Sequence, residues 1–204
     1  MKIGYATTIG NFDGLHLGHA ALIAKIKTNA KKMNLKTKVI TFNPYPFEFF
    51  ELEKNRILSE VDKNSILADF KIDKVNTIDF SDDFRSTSAE DFFTKYLIEG
   101  NVKYLIVGKD FKFGKERSGD LKLLKTLCAR NEITLEVLED FKSEDLKISS
   151  TLIRELLKNS EFQEASKLLG RTYQISGQVI MGKSLGQRIS SPTANIDIEN
   201  KKFC

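Results

Sequence analysis

Short apolar runs alternate with longer amphipathic stretches from the N-terminus to about residue 148, and no other feature of the chain restricts its fold as strongly. The runs occupy residues 3–8, 37–42, 75–80, 104–107 and 133–138. Between them, apolar side chains recur at helical spacing: Leu22, Ile23, Ile26 and Ala30, then Phe92, Phe93, Tyr96 and Leu97, then Leu121, Leu124, Leu127 and Cys128. Buried strands alternating with one-faced helices predict an α/β domain, a mostly parallel sheet with helices on both faces. In such sheets ligands bind beyond the carboxyl ends of the strands, so the residues that follow each run carry the chemistry.

The pattern changes near residue 148. Helical patterns cover 150–157 and 161–169, a strand-like stretch covers 173–181, and glycines and serines follow as far as Ser191. This places a domain over 1–168 and the start of a second one over 169–204. The net charge of +4, from 32 basic and 28 acidic residues, is spread along the chain. No basic stripe marks a nucleic-acid surface. No apolar run reaches the ~18 residues of a membrane helix, and the N-terminus lacks the apolar core of a signal peptide. Cys128 and Cys204 have neither metal-ligand nor disulfide-framework spacing, which fits a reducing cytoplasm.

The first run ends in Gly10-Asn11-Phe12-Asp13-Gly14-Leu15-His16-Leu17-Gly18-His19, with a helix expected from about Gly18. Strand, glycine-rich turn and helix N-terminus together make an anion site, because free N–H groups and the positive helix end face the ligand. His16 and His19 are the only histidines of the chain. Each can donate a hydrogen bond to a phosphate oxygen, and more strongly if protonated. The alternative is a turn with two solvated histidines. A metal site would need a third ligand, and none is evident nearby.

Three further stretches follow later strands or open helices. Ile148-Ser149-Ser150-Thr151-Leu152-Ile153-Arg154 begins a helix; its serines suit capping alone, or capping together with a phosphate that Arg154 reaches from one turn in. Phe42-Asn43-Pro44-Tyr45-Pro46-Phe47 is a rigid aromatic loop, suited to stacking on a flat ring or to packing on the core. Gly108-Lys109-Asp110-Phe111-Lys112-Phe113-Gly114 brackets charge and aromatics between glycines at another strand end.

In this order and rough spacing, GNFDGLHLGH, FNPYP, GKDFKFG and ISSTLIR resemble the bacterial bifunctional riboflavin kinase/FMN adenylyltransferases, the FAD synthetases. The resemblance implies a Rossmann-like nucleotidyltransferase domain that makes FAD and pyrophosphate from FMN and ATP with Mg²⁺. It places Gly10, Asn11, Phe12, Gly14, His16, Gly18, His19, Ser149, Ser150 and Arg154 on ATP. Phe42, Asn43, Pro44, Phe47, Asp110 and Phe111 fall on the flavin, with Asp110 also near the reacting phosphates or the nucleotide. His16, His19, Arg154 and Asp110 become the catalytic candidates. Tyr45 stands where the family often has histidine. Its partners would be small molecules, with neither nucleic acid nor membrane among them.

Leu169-Gly170-Arg171-Thr172-Tyr173 and Pro192-Thr193-Ala194-Asn195 resemble the start of the family's riboflavin kinase barrel, in which Thr193 and Asn195 would serve metal and phosphates. Residues 186–191 depart from the family's glycine-arginine pattern, and the sequence given stops at Cys204. About 36 residues cannot close a barrel. The expectation is therefore an incomplete β-barrel fragment without kinase activity, whose unpaired strand edges could associate with a second copy. Two other readings stay open: transfer to a different phosphorylated acceptor, and a catalytically silent flavin- or nucleotide-binding module.

Overall fold

The computed structural model describes residues 3–50, 55–143, 146–181 and 193–197. Residues 186–192 and Cys204, on which part of the kinase-barrel reading falls, lie outside the described residues.

The five apolar runs become five parallel strands: β1 (Tyr5–Ile9), β2 (Lys36–Phe42), β3 (Lys74–Ile78), β4 (Val102–Gly108) and β5 (Thr134–Leu138). Their order across the sheet is β3-β2-β1-β4-β5, parallel at every junction. The order reverses at β1, so the crevice between the ends of β1 and β4 is the topological switch point where α/β sheets bind ligands.

Side chains on a strand alternate between faces. On β4, Tyr104 and Ile106 enter one buried cluster, while Leu105 and Val107 enter the other. The first cluster is covered by α1 (Leu17–Met33), α3 (Glu60–Asp69), α7 (Ser150–Lys158) and α8 (Phe162–Leu169), through Ile23, Ile26, Leu67, Ile153, Leu157, Ala165 and Leu169. The second is covered by α5 (Ala89–Phe93), which runs on as a π-helical turn (Thr94–Ile98), and by α6 (Leu121–Arg130), through Phe92, Phe93, Leu97, Leu124 and Cys128. Complete burial of each such side chain contributes about 1.5–3 kcal/mol, so both faces must be covered for the sheet to persist. Two short helices, α2 (Pro46–Phe49) and α4 (Asp82–Arg85), follow the ends of β2 and β3.

Element edges differ from the sequence expectation where apolar residues serve something other than the ladder. β3 ends at Ile78, and Phe80 turns away to pack on Phe42, Phe49 and Phe84. The stretch 173–181, expected to be strand-like throughout, is strand only at β8 (Gln178–Ile180), because Tyr173 packs on the core of the first domain instead. A short hairpin, β6 (Lys142–Ser143) with β7 (Leu146–Lys147), precedes α7 in a polar stretch that carries no strand pattern in the sequence. β8 pairs antiparallel with β9 (Asn195–Asp197). Val179, Ile180 and Ile196 of this pair, and Met181 just after β8, are exposed.

Candidate phosphate site at the end of the first strand

The turn after β1 is held in an unusual backbone shape. Phe12, Gly14 and Leu15 have φ of 54°, 82° and 41°, left-handed values that are uncommon for residues with a Cβ. Two such residues with a Cβ, Phe12 and Leu15, flank Gly14, and this local strain is held by their packing in the core. Phe12 therefore offers a ligand its backbone rather than its ring. At Gly14 a Cβ would also stand 3.0 Å from Ile57 Cδ1. Gly10 N–H donates to Ile40 O (3.1 Å) and the Thr41 hydroxyl donates to Asn11 O (3.0 Å), which ties the turn to β2.

α1 begins directly after the turn. His16 is its N-cap but makes no side-chain capping bond, so the N–H groups of the first turn are left without side-chain acceptors from that residue. The His16 and His19 rings stack at 3.8 Å with 19° between planes, and His19 rests on Phe12 at 5.0 Å. The Nδ1 atoms of both histidines are buried with no hydrogen-bond partner. Unpartnered buried polar atoms are costly and uncommon, and they call for an explanation such as a ligand.

Both imidazoles are neutral in this state. Burial, with the nearby Arg171 charge, pushes His16 down to about 4. Burial first, then His16 and Arg171, hold His19 well below the ordinary histidine value. Protonated histidines, the stronger donors envisaged from sequence, are therefore not what the free protein presents at neutral pH. Stability follows with a definite sign. The unfolded chain gains these protons near pH 6.5 and the folded chain does not, so stability is intact above 6.5 and falls as the pH drops towards 4. Each neutral histidine costs about 1.4 kcal/mol per pH unit in that window. A His16→Asn/His19→Asn variant should show a flatter stability curve between pH 6.5 and 5 by urea unfolding. An unchanged slope would contradict the placement.

A cavity of about 240 Å³ opens beside the two histidines. Gly18, Lys109, Asp110, Phe111, Asp140 and Lys147 are among its walls, so it joins the GNFDGLHLGH turn to the GKDFKFG loop. Its rim carries a chain of charges. Lys147 reaches Asp110 at 2.6 Å and Asp140 at 3.0 Å, and Lys109 reaches Asp140 at 2.8 Å. Hydrogen bonds from Lys109 and Lys147 hold the Asp140 carboxyl below its ordinary value. These pairs are largely solvated and add little stability.

The serine-rich helix start docks on the same turn through Asp13. The Ser150 hydroxyl donates to Asp13 O (2.8 Å), and Ser149 Oγ accepts from Leu152 N (3.2 Å) as an ordinary cap. Arg154 pairs with the Asp13 carboxylate, donates to Asn55 O (2.8 Å) and lies over the Phe47 ring at 4.8 Å. Asp13 is only 1% exposed and also accepts from Ile57 N–H (3.0 Å) and Leu58 N–H (3.4 Å). Burial raises its carboxyl above the usual range, opposed by Arg154 and the two N–H groups. The guanidinium expected on a phosphate is thus engaged by a carboxylate that sequence reading left without a role. The signal lay in the motif itself: an Asp between Phe12 and Gly14 in an apolar turn needs a countercharge.

The aromatic loop divides into buried and half-buried parts. Tyr45, in the position where histidine is common, is fully buried, with Arg56 and Lys63 over its ring at 4.8 and 4.7 Å. Its hydroxyl has no partner, and burial raises its pKa well above the ordinary value. Asn43 accepts from Arg56 (2.6 Å), which also pairs with Glu48. Pro44 and Phe47 are half-buried. Phe42 begins a series of ring contacts through Phe84, Phe92 and Phe113 to Phe111. Phe111, assigned to the flavin in the sequence, and Asp110, expected near the reacting phosphates or nucleotide as well as the flavin, both stand on the histidine cavity. A second cavity, about 390 Å³, lies past β3 and includes Asn76, Asp79, Phe84 and Tyr96 but neither histidine. Thr193 and Asn195 are exposed, Asn195 opposite Ile180 in the β8–β9 pair. Among the described residues no group of three or more His, Cys, Asp or Glu side chains could hold a metal ion.

A parallel sheet ordered β3-β2-β1-β4-β5, with a strained glycine turn and two unpartnered histidines at its switch point, defines a Rossmann-like nucleotide-binding domain. The FAD synthetase model matches residues 2–152, and the chain belongs to the FAD synthetase family. The riboflavin kinase model matches residues 169–204. Relatives named bifunctional riboflavin kinase/FMN adenylyltransferase include those of Buchnera aphidicola subsp. Schizaphis graminum (40% identical, covering 95% of this chain and 63% of the relative), Haemophilus influenzae (39%, 97% and 65%) and Escherichia coli (35%, 97% and 64%). The chain spans less than two-thirds of the length of these relatives. A crystal structure named as a macrolide-efflux protein from Streptococcus pneumoniae superimposes with a TM-score of 0.85 at 29% identity, over 100% of this chain and 67% of that one. Among the described residues of this chain no helix is long and apolar enough to cross a membrane.

Proposed function

We propose that this chain transfers the adenylyl group of ATP to FMN, giving FAD and pyrophosphate. The observation that carries the reading is the pair of stacked histidines whose buried Nδ1 atoms lack partners at the uncapped start of α1. The family membership supports the choice of acceptor.

An FMN phosphate oxygen attacks the α-phosphorus of ATP in line. The new P–O bond forms as the bond to the bridging oxygen of the leaving pyrophosphate breaks. The nucleophile is already an anion, so neither a nucleophilic side chain nor a general base is required. The chain's task is to align the phosphates and to meet the charge that develops on them. His16 and His19 donate to phosphate oxygens, and the first N–H groups of α1 supply further donors. Asp13 and Arg154 dock α7 against the same turn. Phe42, Asn43, Pro44 and Phe47 border the flavin, and Asp110 and Phe111 flank the nucleotide. Mg²⁺ belongs to the reading as a companion of ATP, and no step above depends on it. A cytoplasmic setting fits the free buried thiol of Cys128.

The test incubates the purified chain with ATP and Mg²⁺, with FMN in one tube and riboflavin in another, and separates the flavins by chromatography. FAD from FMN with riboflavin unchanged is the expected result. No FAD from FMN overturns the reading, and retained ATP or FMN binding in that case points to a silent binding module. FMN appearing from riboflavin shows that residues 169–204 do more than a two-stranded pair suggests.

A further inference from the structure

The chain leaving α8 turns back onto the phosphate site. Gly170 caps the helix at φ 72°, and a Cβ there would meet Leu17 Cδ2, on the first residue of α1, at 2.5 Å. Glycine suits both the left-handed turn and this close passage, since any side chain here would have to displace Leu17. The next residue, Arg171, then reaches across 156 positions: its Nη1 donates to Leu15 O (3.0 Å) and its Nη2 to Gly14 O (2.7 Å). Nη1 also donates to Leu169 O (3.3 Å), and the Arg171 backbone N–H donates to Ser166 O (3.2 Å). Tyr173 N–H donates to Ser166 Oγ (3.2 Å), and the Tyr173 ring packs on the core, which fixes the far side of the arginine.

We propose that Arg171, although it lies in the segment matched by the riboflavin kinase model, is a positioning residue for the adenylyl-transfer site, holding the turn that carries His16 and His19. The inference rests on the adenylyltransferase reading of that site. A trans peptide aims its C=O and N–H in opposite directions. Fixing Leu15 C=O towards Arg171 therefore fixes the direction of the His16 N–H at the start of α1. Fixing Gly14 C=O holds the peptide between Gly14 and Leu15, in the middle of the strained turn. A planar guanidinium fork suits two adjacent carbonyls, and an ammonium does not. The hydrogen bonds of this half-buried cation go to backbone carbonyls. Its charge acts on the two imidazoles, and on any phosphate beside them, with the Asp62 carboxylate near enough to oppose it in part.

Two variants and two readouts test this. The histidine resonances of the free protein are titrated by NMR, which is direct because the chain has only two histidines. ATP and FMN kinetics are measured in parallel. Arg171→Met should lower kcat/KM for ATP at least tenfold and change KM for FMN by less than twofold, and both imidazoles should titrate at higher pH than in the wild type. Arg171→Lys keeps the charge and loses the fork, so its titration should match the wild type while kcat/KM for ATP still falls severalfold. Wild-type ATP kinetics in either folded variant overturns the proposal, as does a loss in Arg171→Met with the imidazole titration unmoved, the mark of a merely structural contact. If Arg171→Met does not fold, the ATP kinetics of Arg171→Lys decide. If the wild-type chain makes no FAD, the adenylyltransferase reading fails by itself, and the titration still judges whether Arg171 governs the histidine turn.

Discussion

His19→Ala is expected to lower kcat for FAD formation about 10²–10³-fold while KM for FMN stays within about twofold. The magnitude is that of removing one pre-positioned donor from a site where charge develops on a phosphoryl group. The asymmetry follows from placement. His19 lies between His16 and Phe12, next to the start of α1, and borders the cavity shared with the GKDFKFG loop. The FNPYP residues assigned to the flavin pack elsewhere, Phe42 among Phe80 and Phe84, and Phe47 under Arg154. A transition-state donor lost from the phosphate side should leave flavin binding intact. Equal losses in kcat and in FMN affinity would remove His19 from this role. Stability should respond in the opposite sense to activity below neutral pH. The wild-type side chain is half-buried with its Nδ1 buried and unpartnered, and burial holds its pKa down, so it opposes folding increasingly as the pH falls below 6.5. His19→Ala removes that liability, and its melting temperature relative to the wild type should improve from pH 7 to pH 5.5.

The same placement explains why the general site was legible in the sequence and its internal wiring was not. Strand positions could be read because residues such as Leu105 and Ile106 are buried on opposite faces, which leaves a continuous apolar run between polar boundaries. The turn after β1 could be read because backbone approach to an anion needs glycine locally, and locality is what a sequence displays. Charge pairing is not local. Asp13 and Arg154 are 141 positions apart, and Arg171 and Gly14 are 157 apart. The sequence shows an arginine one turn into α7 and another just past α8, with nothing to say that one meets a buried carboxylate and the other two carbonyls. The protonation state of the histidines was left open in the sequence for the same reason. Burial sets it, and burial of His16 depends on how α1, the turn and the later chain pack together. Phe111 was assigned by its loop's resemblance, and the loop folds it against Phe113 at 5.6 Å, on the histidine cavity.

Arg154→Met should destabilise the protein by about 3–5 kcal/mol at neutral pH, the usual result of removing one partner from a buried ion pair. Asp13 would remain almost wholly buried, with only the Ile57 and Leu58 N–H groups to stabilise its charge. Its carboxyl, already raised by burial, would rise further without the guanidinium. For an acid whose folded pKa lies above its unfolded value of 3.8, the protonated form favours folding, so stability is lost as the pH rises through that interval. The penalty in Arg154→Met should therefore shrink on acidification, whereas the wild type weakens below 6.5 through its histidines. An Asp13→Asn/Arg154→Met double variant, which removes both charges of the pair, should recover much of the loss at neutral pH. The Asp13→Asn variant alone then separates two roles for Arg154. If the guanidinium reaches the triphosphate, freeing it from the carboxylate should preserve or tighten ATP binding while stability falls. If its work is to dock α7 on the turn, ATP binding should weaken in both single variants together. Urea unfolding between pH 4.5 and 8, with ATP affinity measured on the same samples, decides the matter. A folded Arg154→Met protein within about 1 kcal/mol of the wild type at neutral pH would mean that the Asp13–Arg154 pair does not hold the site together.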